Sequence, residues 1–83
     1  MKVLYFSWIK DNIGKNEEDL SLNDNIKTIS DLINYLITIN ENYKKAFSDM
    51  SIIRFSKNMN LVNIDEMIDN DDEIAFFPPM TGG

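Results

Sequence analysis

Thr28-Ile29-Ser30-Asp31-Leu32-Ile33-Asn34-Tyr35-Leu36-Ile37 is the stretch on which the fold turns. Ile29, Leu32, Ile33, Leu36 and Ile37 recur at i, i+3, i+4, i+7 and i+8, the spacing of one apolar stripe on a helix. Thr28 is a good N-cap. Asp31, three residues on, can reach back in a capping box and also suits the positive end of the helix dipole. The stripe implies a helix lying on a core. After it, Asn40-Glu41-Asn42 weakens the pattern and Tyr43–Phe47 reads as a second short helical turn.

Apolar strands flank this helix on both sides. Lys2–Ile9 holds Val3, Leu4, Tyr5, Phe6, Trp8 and Ile9, a run with strong strand preference. Lys10–Gly14 suits a turn or a helical turn. Glu17–Leu22 alternates weakly and reads as a second strand, hairpin-paired with the first. Asn23-Asp24-Asn25 supplies a loop. Beyond the helix, Met50–Phe55 and Leu61–Ile64 read as a hairpin around Lys57-Asn58-Met59-Asn60, since Asn tolerates positive φ. Asp65–Ile68 resembles a single helical turn. Asn70-Asp71-Asp72 then turns the chain into a last strand, Glu73–Phe77. The order predicts an α+β domain, a β-grasp (ubiquitin-like) mixed sheet of roughly four or five strands with one main helix across one face. The first and last strands are the most apolar, so they should be parallel central neighbours.

Alternation along those two strands gives two apolar faces. Val3, Tyr5, Ile74 and Phe76 would meet the helix, whereas Leu4, Phe6, Ala75 and Phe77 would face away. No second long helix is available to cover the outer face. Leaving it wet forgoes about 1.5–3 kcal/mol per large apolar side chain, so a partner is expected there, with Phe77 as its anchor. Shielding by the Tyr43–Phe47 turn, or self-association, is the alternative.

Composition bounds the chemistry. With 83 residues there is one small domain, residues 1–77, followed by a flexible tail, residues 78–83. There is no Cys and no His, which leaves no disulfide, cysteine nucleophile or imidazole base, so no independent active site is expected. A net charge of −6 disfavours nucleic acid and suits a basic protein partner. Asp69, Asp71, Asp72 and Glu73 lack the spacing of a calcium loop, and no bound metal is expected. No apolar run is long enough to span a bilayer and Met1–Phe6 is too short for a signal peptide, so the chain reads as cytoplasmic.

The tail carries the most specific signal. Pro78 and Pro79 cannot donate to a sheet ladder, so the last strand should stop at Phe77. From Pro78 through Met80 and Thr81 to Gly83, six residues can reach roughly 20 Å. Gly82 and Gly83 lack a Cβ and would bring a terminal carboxylate through a narrow space. Phe76-Phe77-Pro78-Pro79-Met80-Thr81-Gly82-Gly83 resembles the C-terminus of the small, sulfur-carrying subunit of molybdopterin synthase.

That resemblance implies a mechanism. Gly83 would be adenylated by a partner adenylyltransferase/sulfurtransferase using ATP with Mg, then converted to a thiocarboxylate. Pro78, Pro79, Met80, Thr81 and Gly82 would insert into the large subunit, where the sulfur passes to cyclic pyranopterin monophosphate. Leu4, Phe6, Ala75 and Phe77 would form the partner interface, and this chain would bind no cofactor of its own. The match is looser elsewhere. Lys10 and Asp11 stand where the family often has arginine and glutamate, and Asp71 where it often has glycine. Another Gly-Gly carrier or modifier, for thiazole synthesis or protein conjugation, and a β-grasp binding module without a carrier role are the alternatives.

Overall fold

The computed structural model describes residues 1–79. In chain order these form β1 (Lys2–Tyr5), α1 (Ser7–Ile13), β2 (Glu17–Asp19), α2 (Ile29–Ile39), α3 (Glu41–Ala46), a 3₁₀ turn (Met50–Ile52), β3 (Arg54–Lys57), β4 (Asn60–Val62) and β5 (Glu73–Phe77). The strands make one mixed sheet in the order β2-β1-β5-β3-β4. β1 and β5 run parallel at its centre, with Val3 opposite Ile74 and Tyr5 opposite Phe76. The other neighbours are antiparallel. This is the β-grasp arrangement.

The capping box on α2 forms as its residues require. Thr28 Oγ1 accepts from the Asp31 amide at 3.1 Å, and Asp31 Oδ2 accepts from the Thr28 amide at 3.2 Å. Below that start, Ile29, Leu32, Ile33 and Leu36 are buried, while Ile37 packs at the edge of the core. α3 adds Tyr43 and Ala46 to the same side, capped by Asn40 Oδ1, which accepts from the Asn42 amide. Phe76 is the hub of this core. Tyr5 stacks on it at 6.0 Å between ring centres, and Phe47 and Phe55 meet it edge-on at 5.0 and 5.9 Å.

Several boundaries differ from the sequence reading. The first strand stops at Tyr5 rather than Ile9, because Ser7 takes a left-handed conformation (φ 56°) and turns the chain into α1. Ile9 and Ile13, one helical turn apart, are buried, and Gly14 closes α1 at φ 90° with its amide donating to the Lys10 carbonyl. β2 ends at Asp19 rather than Leu22. β3 begins at Arg54, because Asp49 Oδ1 accepts from the Ser51 amide and holds Met50–Ile52 in a 3₁₀ turn. Asp65–Ile68 is not a helical turn. Met67 makes an antiparallel bridge to Thr28, and the Ile68 amide donates to the Lys27 carbonyl, pinning this segment to the start of α2.

Candidate functional site

Two-residue periodicity sorts the sheet into an inner face on the helices and an outer face without one. On the inner face Val3, Tyr5, Ile74 and Phe76 have at most 1% of their surface exposed. The outer face carries Leu4, Ala75, Ser56 and Leu61 in one row across four strands, since each is the registered neighbour of the next. Phe77 lies opposite Arg54 in the adjoining row. Phe6 extends that row past β1, its amide still donating to the Phe76 carbonyl at 3.2 Å.

Leu4, Phe6, Ala75 and Phe77, the four interface residues expected from alternation, line one open groove of about 380 Å³. The α3 segment does not shield it, because Tyr43 and Phe47 are buried in the core on the opposite face. Phe6 remains 48% exposed, while Ala75 lies sheltered between its larger neighbours. Ser56, Met59 and Glu73 complete the lining, and none of them was foreseen. Leu61, 71% exposed beside Ser56, was also missed. Alternation along Leu61–Ile64 carried that signal, since Leu61 and Val62 must point to opposite faces.

β5 leads out of this groove. It stops at Phe77 and continues into half-buried Pro78 and Pro79, outside the ladder. Met80, Thr81, Gly82 and Gly83, which carry the expected chemistry, lie outside the described residues. Lys10 and Asp11 line a separate polar depression with Gly14, Lys15 and Asn16.

Electrostatics around the site are acidic. The turn before β5 is built on Asp72, whose carboxylate accepts from the Asp69 amide and from Asn58 Nδ2, both at 2.9 Å. Burial raises the Asp72 pKa, but these hydrogen bonds outweigh it and hold the group below its usual range. Among the described residues, no set of three His, Cys, Asp or Glu side chains is placed to hold a metal ion. Asp71 is not in the left-handed region.

The inner face also holds a polar cluster that no periodicity in the sequence marks. Tyr5 and Tyr43 both donate to Glu18 Oε2 at 2.6 Å, and Lys15 pairs with Oε1 at 3.3 Å. Desolvation raises the Glu18 pKa, yet the two phenols and Lys15 together bring it below its ordinary value. Both tyrosines are pushed the other way, chiefly by burial and then by the carboxylate.

Comparison with known proteins covers essentially the whole chain. A model of the ThiS family matches residues 3–83. The molybdopterin synthase sulfur carrier subunit of Escherichia coli is 28% identical over 83 residues, covering 100% of this chain and 99% of that one. The Haemophilus influenzae subunit of the same name is 29% identical over 83 residues, with the same coverage. Among solved structures, a Pyrococcus furiosus protein assigned as molybdopterin converting factor subunit 1 has a TM-score of 0.73 at 26% identity, over 95% of both chains. The small archaeal modifier protein 1 of Haloferax volcanii has a TM-score of 0.77 at 21% identity, over 96% of this chain and 97% of that one. That last likeness concerns the fold alone.

Proposed function

We infer that this chain, which belongs to the ThiS family, is the sulfur carrier of molybdopterin synthesis. The observation that carries the reading is the outer groove. Four apolar residues chosen by alternation converge at the base of a Phe-Phe-Pro-Pro segment that leads to Gly82 and Gly83. Docking that groove on a large subunit would seat the platform from which the C-terminal carboxylate is delivered. The names of the bacterial relatives support this choice among Gly-Gly carriers.

The proposed chemistry follows from what a carboxylate lacks. It is a poor electrophile, so a partner adenylyltransferase joins it to AMP from ATP with Mg, releasing pyrophosphate. A sulfur nucleophile then displaces AMP and leaves a thiocarboxylate on Gly83. That sulfur is presented in the large subunit to cyclic pyranopterin monophosphate, and two such deliveries build a dithiolene. Pro78 and Pro79 restrict the backbone before binding and so reduce the ordering cost, while Gly82 and Gly83 allow close passage. Met80 and Thr81 connect the two pairs. The acid–base groups belong to the partners, consistent with a chain that has neither His nor Cys.

This reading places the protein in the cytoplasm with its ATP-dependent partner. No helix among the described residues is long and apolar enough to cross a membrane. Deletion of Gly83 tests the function. The truncated chain should bind the large subunit as the full chain does and transfer no sulfur to cyclic pyranopterin monophosphate. Undiminished transfer would contradict the proposal.

A further inference from the structure

Asn58 and Met59, which connect β3 to β4, both have positive φ, 51° and 72°. This two-residue turn twists with the strands, but its second position favours glycine. A long thioether side chain there costs backbone strain, and the site gives it no compensating burial. Met59 is 89% exposed, the most exposed large apolar residue among those described. Strain retained at an exposed position points outward, to something the side chain does rather than something it packs against.

The turn is held rigidly at one end of the outer groove. The Asn58 amide donates to the Glu73 carbonyl at 2.8 Å, and the Glu73 amide donates back to Asn58 Oδ1 at 2.9 Å. Asn58 Nδ2 adds its bond to Asp72. These contacts clasp the turn to the start of β5. Met59, the next residue, therefore sits at the edge of the same groove that Phe6 and Phe77 line.

The charge beside it is uncompensated. Glu73 lines the groove, and no cation lies within salt-bridge distance of its carboxylate among the described residues. Lys2, its registered neighbour, is engaged by Glu17 at 3.4 Å, and Lys57 by Glu66 at 2.9 Å. Resting on the sulfur-carrier reading above, we infer that Met59 and Glu73 are a specificity pair for the large subunit. Met59 enters an apolar recess of that partner, and Glu73 meets a lysine or arginine on its rim. A partner whose recess is filled, or whose rim is acidic, would be rejected.

The test measures binding of the full-length chain to the purified large subunit, with thermal melting in parallel. Met59→Gly removes the side chain and relieves the positive φ. The expected result is an unchanged or higher melting temperature together with binding weaker by at least about fivefold. A purely structural role for Met59 would not move these two readouts in opposite directions. Glu73→Gln should flatten the fall in affinity as salt rises from about 0.05 to 0.5 M. Binding of Met59→Gly within about twofold of wild type, with Glu73→Gln keeping the full salt slope, overturns the inference and leaves the sulfur-carrier function standing. Failure of the wild-type chain to bind the large subunit at all overturns both. Self-association that Met59→Gly abolishes would assign the groove to a second copy and overturn the choice of partner.

Discussion

Glu18 occupies the inner face of an edge strand, opposite Val3, and takes two phenol hydrogen bonds on a single oxygen. Tyr5 and Tyr43 are 1% and 3% exposed, so without the carboxylate their buried hydroxyls would lose the acceptor they share. Glu18→Ala should cost about 2–3 kcal/mol of unfolding free energy, read from the denaturant midpoint. The pH dependence has a definite direction. The folded-state pKa of Glu18 lies below its unfolded value of about 4.5, so the folded chain holds the proton more weakly than the unfolded chain. Its stabilisation is complete above that unfolded value and is lost as pH falls through the folded one. The stability gap between wild type and Glu18→Ala should therefore narrow in acid. A gap that stays constant down to full protonation would contradict this account. No periodicity announced the arrangement. Two tyrosines separated by 38 residues meet one glutamate only after β1, β2 and α3 have assembled.

At the scale of elements, legibility followed the number of regularly spaced residues each element contains. α2 offers five apolar positions in register and a complete capping box, and it was readable in full. Thr28→Ala should cost about 1 kcal/mol, since it removes the acceptor for the Asp31 amide. Loss of stability no larger than that of an exposed control such as Thr38→Ala would show the cap to be idle. β5 was also readable to the residue, because Asn70–Asp72 and the two prolines bracket it. α1 was not. Its seven residues bury only one i, i+4 pair, Ile9 and Ile13, and the apolar run Val3–Ile9 continues a strand pattern across the left-handed turn at Ser7. Glu66–Ile68 was misread for a different reason. Its extended course is imposed by long-range bonds to Lys27, Thr28 and Ile29, which local preference cannot report.

For the whole molecule, the outer face matters most. Leu4, Phe6, Ala75 and Phe77 were placed there by alternation alone, because the central parallel pair of strands fixes which side chains share a face. Met59, Leu61 and Glu73 were not placed there. Alternation along β5 already groups Glu73 with Ala75 and Phe77, and alternation along β4 turns Leu61 outward, whereas Met59 joins the face only through the β3–β4 turn that the Asn58 clasp holds against β5. Phe77→Ala should weaken binding to the large subunit by roughly 30-fold or more, equivalent to about 2 kcal/mol. Because Phe77 is only half-buried in the free chain, its melting temperature should change far less than with Phe76→Ala. Similar melting shifts for the two variants would place Phe77 in the core instead.

The proposed carrier function comes down to one atom at Gly83. Incubation with the adenylyltransferase, ATP with Mg and a sulfur source should replace an oxygen there by sulfur, a gain of about 16 Da that oxidation of any methionine would mimic. The chain contains no cysteine, so iodoacetamide at neutral pH distinguishes the two. Mass spectrometry after alkylation should find a further gain of about 57 Da confined to the C-terminal fragment and dependent on ATP, because only a thiocarboxylate presents an anionic sulfur nucleophile. The absence of any ATP-dependent alkylation, with an adenylyltransferase preparation that converts a second sulfur carrier in parallel, would contradict the account.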